Sequence, residues 1–507
     1  MKKLFWVFFF LILLLGFFSK VIPLLGGNFY FTMDQGNDAV YIREILVRRQ
    51  VLLRGPETGF SGLYTGPLWF YFISLGYALF GLHPFGAVFL LIVLNLVLSA
   101  ILIWQIAKRV SPWVGLLIGA SLQFFWSFYD TSRYAFNPFP LVFLSVLLIL
   151  WLCDFFEGKK NRFLLAAIPV GVAFHCEVAA AVAVFLFYFL VGIWSIFQNR
   201  SFWKVFISGL FVVFLFFLPH LISELSSGFP QTLAFYKLLS AESGVFSGTR
   251  FQFMFSVFLG LLKESLIPQS LNFSLVFLGV IILIYIFGKK FSNTQKFVNR
   301  FIILSLSLFL VSWFWFGTNK GWQTWHTVFL PPLLFVSILL MILNLPRKIG
   351  LFFLFIILIF QLNLFKERYL EYLTPSADAS LLRNELGAIN WVYQKSEGKG
   401  FYVYSYLPSV YDYPYQYLFW WYGKKKYGFL PCEFSSFPGS PKLFVPGAKY
   451  YEEPKKECSN LRFLIIEPDK NLIVQNQWLE AIRRGTHLLE EGKVGNIKLE
   501  KRSFNLL

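Results

Sequence analysis

The sequence predicts a polytopic α-helical membrane protein of about 11 crossings, ending in a small α/β domain, and three observations predict it. First, 57% of the 507 residues are apolar and 21% aromatic, with a mean hydropathy of +0.61. Second, 14% of residues are charged, where a soluble globular chain carries roughly 25%. Third, long apolar runs alternate with short basic clusters at Lys2-Lys3, Lys108-Arg109, Lys159 to Arg162, Arg200 to Lys204, Lys289 to Arg300 and Arg347-Lys348. Loops rich in Lys and Arg stay in the cytoplasm, so these clusters mark one side of the membrane and account for much of the formal charge of +18. A basic chain without a patch or motif for nucleic acid gives no reason to assign nucleic acid as a partner. Membrane lipids are the expected surroundings.

At the N-terminus, Lys2-Lys3 followed by Leu4 to Phe18 has the outline of a signal peptide. No small-residue cleavage site follows, and Lys20 to Pro23 continue the segment, so it reads as a retained first helix with a cytoplasmic N-terminus. The spans then fall at 4–25, 85–107, 112–128, 139–153, 163–176, 178–197, 205–222, 272–288, 298–316, 327–345 and 349–365, with outer turns at 26–84, 129–138, 175–178, 223–271 and 317–326. Leu68 to Phe80 lies between Gly-Pro and His-Pro and is well short of the roughly 20 residues a span requires. It reads as a helix lying at the membrane surface; counted as a span it would invert every later loop. The first outer loop carries Arg43, Arg48, Arg49 and Arg54, so either it is too long for the charge rule or its arginines serve a purpose there.

The membrane part is expected over 1–365, with juxtamembrane helices in 26–84, and an extracytoplasmic α/β domain over 366–507. In that domain "SADASLLRNELGAINWVYQ" reads as an amphipathic helix, and "GFYVYSY" and "RFLIIEP" read as strands. Cys153 and Cys176 sit in apolar segments as packing residues, whereas Cys432 and Cys458 can pair if their domain lies outside the cytoplasm.

Acidic residues are scarce, which makes their positions informative. Asp34 and Asp38 stand four apart in "YFTMDQGNDAVYIREI", just past the first apolar run. The plain reading is helix punctuation, with Thr32 and Gln35 as a capping box and Asp38 as the cap of "AVYIREIL". The functional reading is a general base, since a carboxylate at the lipid boundary is partly desolvated and gains proton affinity. Asp130, Arg133 and Asn137 in "FYDTSRYAFNPFP" form either a solvated turn closed by Asn-Pro or a charged site beside the membrane. His175 and Glu177 in "VAFHCEVA", and His220 with Glu224 in "PHLISEL", are self-satisfying pairs or site residues. These pairs permit a divalent metal, but no ligand spacing supports one and no cofactor is assigned. Lys320, Trp322, Trp325 and His326 in "TNKGWQTWHTV", with Arg250 in "SGTR", put cations and aromatics at headgroup depth. There they hold a phosphate or anchor the chain at the interface.

The order of these features resembles the C-type (GT-C) glycosyltransferases of family 39, the protein O-mannosyltransferases and lipid A aminoarabinose transferases, and most of all their bacterial relatives. The resemblance covers roughly residues 1–365 and is carried by Asp34 at the exit of the first helix, the long first outer loop, "GPLWFYF" and "SRYAFNP". That family places a catalytic acid in the first outer loop, often as two adjacent acids. Here Asp34 matches the first position and Gln35 occupies the second, leaving Asp38 or Asp130 as candidates for the second acid. The resemblance implies inverting transfer of a sugar from a polyprenyl-phosphate donor to a hydroxyl of a protein, lipid or glycan acceptor. The reaction would take place on the outer face of a bacterial cytoplasmic membrane. Asp34 would be the base, Arg133, Arg250 or Lys320 would hold the departing phosphate, and no metal would be required. The alternatives are a flippase or transporter for a lipid-linked glycan, which would favour midplane polar residues and inverted repeats, and a glycan polymerase or ligase.

Overall fold

The computed structural model describes residues 2–241, 248–287, 293–318, 322–409, 411–440, 445–453 and 455–504. Its first part is a helical bundle: α1 (Lys2–Val21), α2 (Met33–Arg48), α3 (Leu68–Leu79), α4 (Phe85–Arg109), α5 (Pro112–Phe124), the short α6 (Trp126–Tyr129), α7 (Leu141–Phe156), α8 (Asn161–Cys176), α9 (Val178–Gln198) and α10 (Trp203–Ser227). It continues through α11 (Pro230–Ala241), α12 (Gly248–Leu266), α13 (Leu271–Phe287), α14 (Asn293–Thr318), α15 (Leu330–Leu343) and α16 (Arg347–Leu373). Among the described residues, seven helices are long and apolar enough to cross a membrane, and α12 with α13, bent by 77° at their junction, makes an eighth candidate. The apolar α5, α7 and α8 are shorter and pack within the same core. The chain is an integral membrane protein.

Opposite charges close one end of the bundle. Asp154, almost fully buried on α7, receives Arg109 of α4, Lys159 at 3.1 Å and Arg162 at 3.5 Å, and Arg300 of α14 meets Glu157 at 3.1 Å. The other end gathers the turns that the charge pattern assigns to one side. Gln35 donates to the Ala135 carbonyl at 2.8 Å, Gly66 N–H to Phe174 at 2.9 Å, and Asn28 to Tyr372 at 2.7 Å.

Two expectations about elements are corrected. The outer turn over 223–271 contains two helices, α11 and the 19-residue α12. Arg250 near one end of α12 and Lys263 with Glu264 near the other leave about a dozen residues of apolar run between them, too few to read as a span. Asp38 is not a helix cap: α2 begins five residues earlier, at Met33, behind the Thr32–Gln35 capping box.

The second part is a five-stranded sheet in the order β2-β1-β3-β5-β4, from β1 (Gly400–Tyr406), β2 (Glu433–Ser435), β3 (Cys458–Ile466), β4 (Thr486–Val494) and β5 (Ile497–Phe504). β1 pairs parallel with β2 and β3, while β5 is antiparallel to β3 and β4. α17 (Leu382–Lys395), α18 (Tyr413–Leu418), a π turn (Phe419–Gly423), α19 (Lys424–Tyr427) and α20 (Leu472–Arg483) cover it. Cys432 and Cys458 form a disulfide. The helix and both strands expected here are present as α17, β1 and β3.

This sheet unit docks on α2 and α3. Gly36 lies so close to Pro414 that a Cβ would stand 2.4 Å from its nitrogen, so only glycine allows α18 this approach. Tyr417 Oη donates to the Leu82 carbonyl at 2.7 Å and Trp421 Nε1 to Gly81 at 3.2 Å. Buried Arg43 lies 3.7 Å from the Tyr451 ring centroid, and Arg48 lies 4.0 Å from that of Tyr450. Arg54 donates to Ser223 and Ser227 on α10, at 2.5 and 3.0 Å. Three of the first-loop arginines therefore work as fasteners.

Candidate active site

The site is built around the first turn of α2. Thr32 donates through both its backbone N–H and its hydroxyl to Gln35 Oε1, at 3.0 and 2.6 Å, which fixes the helix start. The Gln35 amide then ties that start to the Ala135 carbonyl at 2.8 Å. Asp34 is left pointing outward at the positive end of the helix dipole. Its surface is exposed, yet protein surrounds it on most sides, and that desolvation raises its carboxyl above the ordinary range. Asp38, one turn on, is buried and accepts the Trp69 indole N–H at 2.7 Å. Burial pushes Asp38 well above the usual carboxylate range, and neighbouring Asp34 adds to the shift.

The structure holds two main cavities, the first lined in part by Tyr30, just ahead of this turn. Cavity one, of about 1020 Å³, is walled by Trp126, Asp130, Arg133, Glu264, Arg368 and Tyr372, among others. Arg133 bonds Asp130 at 3.0 Å. Its guanidinium lies within an aromatic cage, 4.3 Å from the Tyr372 ring centroid, 5.2 Å from Tyr30 and 5.7 Å from Trp126. Buried Arg133 Nε and Trp322 Nε1, both on walls of this cavity, have no partner among the described residues.

Cavity two, of about 520 Å³, is lined mostly by apolar groups such as Phe174, Phe217 and Trp315, with Glu177, His220 and His326 set among them. Glu177 stands 3.7 Å from His326 Nε2 and caps α9 by accepting Ala179 N–H at 3.2 Å. Burial raises Glu177 to about 7. Trp322 lines both cavities. Between them runs an aromatic ridge: Tyr30 on Tyr134, Tyr134 on Phe136, Phe136 on Trp325 and Trp325 on His326, with ring centroids 5.7 to 5.9 Å apart. The charges of Asp34 and Asp130 both act on Tyr134, whose phenol is pushed up to about 12, chiefly by burial.

Asp130 and Arg133 thus pair beside Tyr30, the charges of Asp34 and Asp130 both reach Tyr134, and Glu177 with His326 lies at the far end of the ridge. His175 and Glu177 do not pair. His175 Nδ1 accepts Leu68 N–H at 3.3 Å and Nε2 donates to the Phe216 carbonyl at 3.0 Å, so both ring nitrogens are used in holding the first loop. Gly66 permits this, since a Cβ there would fall 1.9 Å from His175 Nδ1. Glu224 accepts from Gln231 and Thr232 rather than from His220. Asn137 bonds the Cys176 carbonyl, holding two turns together. Arg250 lies at the start of α12 and lines neither cavity. Lys320 lies outside the described residues. Among the described residues no group of three His, Cys, Asp or Glu could hold a metal ion. Sequence reasoning missed Tyr372, the ring nearest Arg133; its only trace is the tyrosine-bearing end of the last span, "KERYLEYL".

A multi-span core, a first loop of surface helices bearing an acid, and a sheet unit docked on α2 and α3 make up an integral membrane protein. Comparisons with known proteins place its fold beside others. Residues 65–222 match the dolichyl-phosphate-mannose-protein mannosyltransferase family. The whole chain is similar in fold to ArnT from Cupriavidus metallidurans, solved bound to undecaprenyl phosphate and in the apo state. TM-scores are 0.59 at 11% identity, covering 98% and 99% of this chain and 97% and 98% of the other. None of the curated proteins matches the sequence.

Proposed function

We propose that the protein is an inverting glycosyltransferase that moves a sugar from a polyprenyl-phosphate donor to an acceptor hydroxyl. The observation that carries this reading is the pair of buried, unpartnered donors, Arg133 Nε and Trp322 Nε1, on the walls of one polar cavity. Such donors suit an oxygen-rich, anionic ligand, and the similar fold of ArnT was solved with undecaprenyl phosphate. Asp34 accepts the proton of the acceptor hydroxyl as its oxygen attacks the anomeric carbon from the face opposite the phosphate. The bond from the anomeric carbon to the phosphate oxygen breaks, and polyprenyl phosphate leaves with one more negative charge. Arg133 is the group that meets that charge as it develops, while Asp130 and the aromatic cage hold its guanidinium in place. Raised proton affinity suits Asp34 to the base role.

The helix end carrying Lys2, Lys108 and Arg109 belongs on the cytoplasmic side by the charge rule. The sheet unit is then extracytoplasmic, where its disulfide is at home. The test is to incubate proteoliposomes with radiolabelled polyprenyl-phosphate sugars, measuring release of label from the lipid alongside lipid movement between leaflets. Release supports transfer. Movement without release makes the protein a flippase.

A further inference from the structure

The turn between α3 and α4 joins the sheet unit to the membrane boundary. α4 is long and apolar enough to cross the membrane and starts at Phe85, so the turn at 80–84 lies where that span leaves the hydrocarbon. Three contacts hold this turn to the sheet unit. Tyr417 Oη and Trp421 Nε1 donate to the Leu82 and Gly81 carbonyls, and the His83 ring packs edge-on against Trp421 with centroids 4.8 Å apart. α3 itself leaves an apolar stripe uncovered. Leu68, Phe72, Leu75 and Leu79 recur at spacings of four, three and four, which puts them on one helical face. Leu75 is 60% and Leu79 73% exposed, while Trp69, Phe70, Ile73 and Tyr77 are buried.

Just past Trp421 the π turn runs on into α19, whose first three residues, Lys424, Lys425 and Lys426, are all exposed. Lys425 stands four residues beyond Trp421 and so shares its side, the side that meets His83. Burial first, and then the charge of Lys425, hold His83 below the ordinary histidine range. Lys426 is turned away, its ammonium given to Asn390 Oδ1 and Tyr422 Oη at 2.8 and 2.9 Å. Neither Lys424 nor Lys425 meets a carboxylate among the described residues. Two cations without a counter-ion thus stand one helical turn beyond the residue that touches the membrane boundary. Continuity with α4 gives the apolar stripe to acyl chains, and charge complementarity gives the lysines to the phosphates above them. The polar layer of a leaflet is roughly 5–7 Å deep, within reach of a lysine side chain. We propose that Lys424 and Lys425, with the α3 stripe, form a docking surface for anionic phospholipid that seats the sheet unit on the leaflet in which α4 begins.

The test is native mass spectrometry of the full-length protein in micelles containing equal amounts of phosphatidylglycerol and phosphatidylcholine with matched chains. The ratio of bound phosphatidylglycerol to bound phosphatidylcholine should fall about tenfold from wild type to the double variant Lys424→Ala/Lys425→Ala. Lys424→Arg/Lys425→Arg should keep the wild-type ratio, and so should Lys426→Ala, whose ammonium is already used. Leu75→Ser/Leu79→Ser should lower retention of both lipids alike. A double alanine variant with the wild-type ratio, or a loss in Lys426→Ala as large as in that variant, overturns the proposal. A dimer without bound lipid would give the surface to a second copy of the chain and overturn it as well. Sugar transfer plays no part in this measurement.

Discussion

Cavity one and cavity two share Trp322 as a wall, but their polar side chains are differently occupied. In cavity two, Glu177 both caps α9 and faces His326, while Glu224 accepts from Gln231 and Thr232, so protein groups already use its acids. In cavity one, Arg133 gives one nitrogen to Asp130 and leaves Nε without a partner among the described residues. A buried donor left unmade costs about 1–3 kcal/mol, and a bound phosphate oxygen would recover that. The contrast separates a cation that still has a buried donor to offer into a cavity from acids whose oxygens protein groups already hold. Asp34 lines neither cavity, and its charge acts on Tyr134 of the ridge that joins them.

Four substitutions break or sharpen this contrast. The largest effect is expected at Asp34: Asp34→Asn should lower the transfer rate by about 10²–10⁴-fold while leaving both cavities intact, as checked by single-turnover kinetics and melting temperature. In the wild type, transfer should fall as pH drops through the Asp34 pKa, which desolvation holds above the ordinary carboxylate range. In cavity one, Arg133→Ala should weaken binding of a polyprenyl-phosphate sugar by about 10–100-fold, measured by calorimetry. Unchanged affinity would make Arg133 a purely structural residue. In cavity two, the Glu177 carboxyl is raised in the folded state from 4.5 to about 7. Its contribution to stability is full below the lower value and is lost as pH rises through the upper one. Wild type should therefore lose on the order of 2 kcal/mol between pH 5 and 7, and Glu177→Gln should remove that loss in denaturation series across the two pH values. The smallest effect is Gln35→Ala, which removes the capping box and the tie to Ala135 and should cost about 1 kcal/mol, read as a lower melting midpoint with donor affinity unchanged.

Much of this arrangement was legible in the sequence because its signals are local. Thr32 with Gln35 marks the start of α2, the basic clusters give the alternation of spans, and two half-polar cysteines give the disulfide. Asp34, Asp130 and Arg133 could be singled out because charge is rare near lipid. What escaped depends on contacts between distant segments. Tyr372 reaches Arg133 only through the approach of α16 to the second turn. Glu177 chose His326 over its neighbour His175 because Leu68 and Phe216 had already claimed both nitrogens of that ring. α12 passed for loop since its charged ends conceal a helix held by packing against α14 and α15. The purpose of Arg43 and Arg48 emerged only once the sheet unit had supplied Tyr451 and Tyr450.

The measurement that bears most directly on the division of labour is made on Asp34→Asn and wild type in matched proteoliposomes, following donor binding and single-turnover release of polyprenyl phosphate together. The account predicts that the variant binds the donor as wild type does and releases almost no polyprenyl phosphate. Release at the wild-type rate would contradict it, leaving Asp34 as no more than part of the first turn of α2.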